Sequence, residues 1–253
     1  MKPADGLSFQ LYSARLSGLS LEDQFAMLAG LGYRNVEPFG GLLAEADLLQ
    51  GLLAKHNMRA PTCHVGLDRM RGDLAGTVAL CKSLGIEIVL APAPPPGERD
   101  GGEKEWQAMG RELAAHGKAF NAAGMAFGWH NHHWEFGKAA DGRTFLDVMF
   151  AEAPDIVWQA DMAWIIRGNA DPVAAMNKYA KRLVAAHVKD LAPAGQCLDE
   201  DGWADPGHGT MDWPALRAAL SAAGVKHYVV EHDKPNDAVR FARRAAETVS
   251  SWL

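Results

Sequence analysis

Short β-rich runs alternate with longer Ala/Leu-rich amphipathic runs over nearly the whole chain, and the alternation repeats eight times. The strand-like runs are Ser8–Ala14, Asn35–Phe39, Arg59–Val65, Ile86–Ala91, Met125–His132, Ile156–Asp161, Leu183–Val188 and Tyr228–Glu231. Helical patterns follow them over Glu22–Leu31, Leu42–His56, Arg69–Leu84, Glu103–Ala123, Arg143–Ala151, Pro172–Tyr179, Trp213–Ala223 and Asp237–Leu253. Eight strand-then-helix units in about 250 residues predict an α/β fold of the (β/α)8 TIM-barrel kind. A doubly wound sheet shares the alternation, but it normally carries a glycine-rich phosphate loop after its first strand. Here that strand runs into Tyr12-Ser13-Ala14-Arg15-Leu16 instead. No linker-like shift in composition interrupts the series, so residues 1–253 are expected to form one barrel domain.

Composition narrows the function. With 48% hydrophobic and 22% charged residues, the chain can bury a full core and is not of the disordered kind. A formal net charge of -6 argues against nucleic acid as a partner. The three cysteines, Cys63, Cys81 and Cys197, form no CxxC pair, so neither a disulfide framework nor a thiolate zinc site is expected. No run approaches the ~18 apolar residues of a membrane span, and the first residues lack the apolar stretch of a signal peptide. The expectation is a cytoplasmic protein with no membrane partner; a homo-oligomer stays open.

Catalytic groups of a barrel come from the C-terminal ends of its strands and the loops that follow. Seven of the ten histidines fall there: His64, His130, His132, His133, His187, His208 and His232. Glu37, Glu135, Asp161, Asp190, Glu231 and Asp233 do the same. Charged groups seldom end a buried strand unless they are paired, metal-bound or wet. Each has a plainer reading: Glu37 as a surface carboxylate, His64 as a core histidine, Asp161 as a helix cap, Lys189 as a salt-bridge partner, Gly207-His208-Gly209 as a turn. The run from Trp129 to Phe136, with three imidazoles and a carboxylate, resists such a reading most.

Glu, Asp, His and Glu drawn from four strands are enough to hold one divalent cation. Three carboxylates and one imidazole form a mostly hard site, favouring Mn²⁺, with Mg²⁺, Co²⁺ or Zn²⁺ as alternatives. A cation with open positions can chelate a hydroxy-ketone and polarise its carbonyl, so that a neighbouring base removes the adjacent proton. Trp134, Trp164 and Trp203 would offer apolar faces to a small-molecule sugar.

These segments resemble the sugar phosphate isomerase/epimerase superfamily with its xylose isomerase-like barrel, over essentially the whole chain. The resemblance rests on Val36-Glu37-Pro38-Phe39, His130-Asn131-His132 through Glu135-Phe136, Asp161 with Trp164, His187-Val188-Lys189-Asp190, Gly207-His208-Gly209 before Asp212-Trp213, and Val230-Glu231-His232-Asp233. It implies a metal held by Glu135, Asp161, His187 and Glu231. Two departures stand out. Many ketose epimerases and isomerases have a glutamate where this chain has His130, and a histidine where it has Trp164. The pattern looks like a histidine-rich sub-branch that includes dehydratase-like and 3-keto-glycoside-cleaving members.

The expected activity is a metal-dependent sugar isomerase or epimerase working through an enediolate. His130 or His132 would be the base, and Lys189 would stabilise the enediolate oxygen. Glu37, His64, Trp134, Trp164 and His208 are expected to touch the substrate. The runner-up is a lyase or dehydratase ending in β-elimination; a non-catalytic sugar-binding or accessory subunit is the alternative of another class. A DNA-repair nuclease of the same barrel would want several metals and a basic face.

Overall fold

The structure, a computed structural model, describes residues 5–95 and 97–252. Residues 1–4, Pro96 in the expected proline-rich loop and Leu253 at the expected end of the last helix lie outside the described residues. Eight parallel strands form the barrel: β1 (Leu7–Gln10), β2 (Asn35–Glu37), β3 (Thr62–His64), β4 (Ile88–Ala91), β5 (Ala126–His130), β6 (Val157–Asp161), β7 (Leu183–Val188) and β10 (His227–Val230). A two-stranded antiparallel hairpin, β8 (Asp190–Leu191) with β9 (Trp203–Ala204), stands in what the sequence pattern read as plain loop. Residue-by-residue ladders run β2-β1-β10-β7-β6-β5-β4-β3. The ring closes between β2 and β3 through isolated bridges, Asn35 to Arg59 and Phe39 to His64.

The strands are shorter than their hydrophobic runs suggest, because the chain turns into helix or loop as soon as it leaves the barrel. Leu11–Ala14, read as the end of the first strand, is a 3-10 turn; its cap residue Gln10 accepts from the Tyr12 N–H at 3.1 Å. A helix over Met162–Arg167, missed in the sequence pattern, starts directly from β6 with Asp161 as its cap.

The period-two alternation of strands sorts side chains into two populations. Phe9, Val36, Cys63, Val89, Phe127, Trp129, Trp158, Ala186, Val188 and Val230 join the apolar layer beneath the helices. Their neighbours Gln10, Glu37, His64, His130, Gln159, Asp161 and His187 are as fully buried but polar, and point into the barrel. A TIM-barrel interior is ordinarily filled by branched aliphatic side chains. Here one end of it is a hydrogen-bonded polar layer, which carries the site.

Candidate active site

Four strand ends bring ligand atoms together. One atom each from His130 (β5), Asp161 (β6), His187 (β7) and Glu231 (just after β10) lies within 4.8 Å of the other three, and all four residues are buried. Buried polar atoms normally find partners. Asp161 Oδ2 and His130 Nδ1 form no hydrogen bond among the described residues, although the Lys189 ammonium stands 3.4 Å from Asp161 Oδ2. Asp161 Oδ1 is spent on the Trp164 N–H at 2.9 Å, so the carboxylate caps its helix with one oxygen and offers the other to the cluster. The cap reading of this residue therefore describes one of its two oxygens.

His187 is gripped from both sides. Its Nε2 meets Glu37 Oε1 at 2.7 Å and its Nδ1 meets Glu231 Oε2 at 3.0 Å. Burial alone would strip the proton from this imidazole, but Glu231 and Glu37 outweigh it and hold the pKa at about 10. Glu37 answers in kind: burial pushes its carboxyl up, yet His64 and His187 bring it down to about 2. Gln10 Nε2 and Gln159 Nε2 each donate to Glu37 at 2.7 Å, and Gln159 Oε1 lies 2.7 Å from His64 Nε2. Glu37 is thus the hub of a buried network behind His187, and it does not line the cavity, contrary to its expected place against the substrate. The interaction is a carboxylate fixing the orientation of a ligand-type imidazole.

Glu135 is the second correction. Its Oε1 accepts from Trp129 Nε1 at 2.8 Å and its Oε2 from the His132 N–H at 2.9 Å, and it is not brought into the four-residue group. The four-residue group has His130 in its place, which ends β5 on the inward side. The 3-10 turn Trp134–Phe136 re-aims the chain after that point. Burial raises the Glu135 carboxyl to about 7.

A second histidine-rich group, His64, His130 and His187, also comes together. It offers no anionic ligand, and His64 and His187 already direct their Nε2 atoms to Glu37 at 3.1 and 2.7 Å. The His130–Asp161–His187–Glu231 set fits a divalent cation better: two carboxylates balance its charge, and two imidazoles complete a mixed nitrogen–oxygen shell. This set is one carboxylate poorer and one imidazole richer than the sequence implied.

Lys189 is fully buried and is not among the cavity's lining residues. Its ammonium sits 2.6 Å from Asp233 Oδ2, 2.7 Å from Glu231 Oε2 and 3.4 Å from Asp161 Oδ2. Burial works against its charge, but these three carboxylates outweigh burial and hold it protonated. The plain salt-bridge reading describes its contacts. His208 is exposed and outside the cavity. Its flanking glycines donate their N–H groups to Asp190 Oδ2 at 2.9 and 3.2 Å, so the Gly-His-Gly segment is a turn built around that aspartate. Trp203 is buried under the Arg167 guanidinium, 3.2 Å from its ring centroid, and is likewise not a wall.

Over the cluster opens a cavity of about 510 Å³, with His64, His130, His132 and Glu231 exposed to it and Tyr12, Phe39, Trp134 and Trp164 as aromatic walls. The size suits a small ligand. His132 stacks on Trp134, with ring centroids 4.6 Å apart, and its Nδ1 has no partner. Burial first, and then the Lys189 ammonium, lower the pKa of His132, so the imidazole is neutral and a weaker base than a free histidine. Tyr12, Asp233 and Arg99 line the same space and were not singled out as substrate contacts from sequence.

Fold and site together define a (β/α)8 barrel with a ligand-type cluster at the C-terminal ends of its strands. The chain belongs to the xylose isomerase-like TIM barrel family, whose pattern it matches over residues 25–252. In fold it is similar to a sugar phosphate isomerase/epimerase from Parabacteroides distasonis, with a TM-score of 0.81 at 18% identity over 98% of both chains. It is similar also to the probable 3-DHS dehydratase AsbF from Bacillus anthracis, with a TM-score of 0.76 at 13% identity over 99% of both chains. The IolI protein, solved with a zinc atom bound, gives a TM-score of 0.76 at 17% identity over 98% of this chain and 97% of its own. No curated protein matches the sequence. Among the described residues, no helix is long and apolar enough to cross a membrane.

Proposed function

We propose that the protein binds one divalent cation through His130, Asp161, His187 and Glu231 and catalyses proton removal next to the carbonyl of a hydroxy-ketone sugar. The observation that carries this reading is the convergence of four buried ligand atoms beside an aromatic-walled cavity. A cation there would polarise the carbonyl and acidify the neighbouring C–H. The chain's own residues do the rest. Trp134, Trp164 and Phe39 hold the apolar faces of the sugar and exclude water. Neutral His132 takes the carbon-bound proton, while its backbone N–H, tied to Glu135, keeps its loop in place. Return of the proton to the adjacent carbon, or to the other face of the same carbon, gives an isomerase or epimerase.

Elimination is the second reading, favoured by one observation. The end of β5 carries His130 within the ligand group, where many ketose epimerases and isomerases have a glutamate, so among the described residues Glu231 has no carboxylate partner from β5 in that group. AsbF, similar in fold, is called a probable dehydratase. A test combines metal analysis of the purified protein with incubation in D₂O, Mn²⁺ or Zn²⁺, and a panel of ketoses and 3-keto-glycosides. Deuterium should enter a carbon-bound position in the parent, and not in His132→Asn, which should keep its metal. Protein that takes up no cation, or a His132→Asn variant that exchanges at the parent rate, would overturn the assignment.

A further inference from the structure

The cavity has two chemical poles. Its deep end carries Glu231, Asp233 and the imidazoles. At its rim Arg99 is the single cationic side chain among the described lining residues. The Arg99 guanidinium lies over the Trp134 ring, 4.3 Å from the centroid, and Trp134 in turn stacks on His132. Two stacking steps therefore separate the rim cation from the imidazole assigned to proton transfer. Arg99 Nε donates to the Pro94 carbonyl at 3.2 Å, and the two terminal nitrogens meet no acceptor among the described residues. A planar fork of N–H donors, half-buried against an aromatic face and facing a cavity, is suited to a carboxylate or a phosphate.

The loop bearing Arg99 is clamped. Arg71 holds the neighbouring Glu98 with two bonds of 2.7 and 2.9 Å and Glu112 with two of 2.7 and 2.8 Å. Isolated surface ion pairs contribute little, but paired bidentate contacts in one network are the exception. They tie the loop to the helices Leu67–Gly72 and Glu103–Ala122 and so fix where Arg99 stands. Lys189 cannot serve in its place, since its ammonium is taken up by three carboxylates.

We propose that Arg99 binds an anionic substituent, a carboxylate or a phosphate, at the end of the substrate remote from its reacting carbonyl. The substrate class is then an acidic or phosphorylated keto-sugar, not a neutral one. This rests on the site reading given above, and the test keeps the two apart.

Three probes are titrated calorimetrically into the cation-loaded protein: D-fructose, D-fructose 6-phosphate and 5-keto-D-gluconate. At least one anionic probe should bind tenfold or more tighter than fructose, and which one does so distinguishes phosphate from carboxylate. Raising the salt concentration should shrink that advantage. In Arg99→Met the ratio of anionic to neutral affinity should collapse toward one. Arg99→Lys should recover it only in part, because a point charge replaces a fork. Equal binding of all three probes, no binding of either anion, or a ratio that survives Arg99→Met would overturn the proposal. Solvent deuterium exchange is read on the same samples. An Arg99-dependent ratio without exchange on any probe would sink the proton-transfer reading alone; exchange without Arg99 dependence would sink this one alone.

Discussion

Glu37→Gln removes one negative charge while leaving the side chain's size unchanged, and it reaches the ligand-type group chiefly through His187, with His64 as a second neighbour at 3.1 Å. In the parent, Glu37 Oε1 takes the Gln10 amide at 2.7 Å and His187 Nε2 at 2.7 Å, while Oε2 takes the Gln159 amide at 2.7 Å. All three neighbours donate, so whichever way the new amide turns, its NH₂ faces a donor. The better orientation puts NH₂ toward Gln159, whose own amide can turn over at the expense of its contact with His64. The cost is one disrupted buried hydrogen bond and a weaker acceptor for His187, about 1–3 kcal/mol of stability. Losing the carboxylate behind a ligating imidazole weakens metal affinity by about 10–100-fold, or roughly 1.4–2.7 kcal/mol. Competition titration of Zn²⁺ against a chelator measures the affinity, and a thermal melt of the metal-free protein measures the stability. Parent-like Zn²⁺ affinity in a folded Glu37→Gln protein would refute the argument that Glu37 orients His187.

Three further outcomes follow from the geometry. His130→Asn should abolish stoichiometric metal uptake, whereas Glu135→Gln should retain it; metal analysis showing the reverse would restore Glu135 to the ligand set. Gly110→Ala should destabilise the fold by about 1 kcal/mol net, because a Cβ there would stand 2.5 Å from the Met149 carbonyl oxygen, and overpacking outweighs the gain in helix propensity; a raised melting temperature would contradict this. Asp147 holds a carboxyl pKa below its usual value: burial opposes this, but Lys178, Tyr179 and the Thr144 N–H outweigh it. A depressed pKa contributes stability above the unfolded value and loses it as pH falls through the folded one. Asp147→Asn should therefore be less stable than the parent at pH 7, with the gap narrowing below about pH 4; a gap independent of pH across denaturant titrations would remove the charge from the explanation.

How much was legible depended on whether a residue stands inside a strand or past its end. Within strands, parity is enough. His130 and His187 stand inside strands, where alternation gives each side chain its face, and the barrel followed from the count of units. Past the strand end parity fails. Glu135 lies in a 3-10 turn that points its carboxylate back to Trp129, and nothing in the spacing announces that turn. Glu37 was legible as a site residue but not as one standing behind His187, because its partners Gln10 and Gln159 are neutral amides that look like filler in a sequence. Arg99 was hidden differently: it follows a proline-rich stretch, where no periodicity gives a direction, and only the ion network at Arg71 locates it. His208 was misplaced for a related reason. It was expected to touch the substrate, yet its flanking glycines serve Asp190, as the plainer reading of a turn has it.

The seam between β2 and β3 makes the barrel a split ring. Elsewhere the strands are joined by residue-by-residue ladders, but here the chain is held by the Val36 N–H to Arg59 carbonyl, Arg59 N–H to Arg34 carbonyl and His64 N–H to Pro38 carbonyl contacts, each 2.9 Å. A split ring is stiff around most of its circumference and compliant at the gap. Phe39 and His64 flank that gap and also line the cavity, while the four ligand-type residues all come from the laddered arc between β5 and β10. Any widening of the pocket at this seam would leave untouched the spacing of the atoms that would hold the cation on the other side.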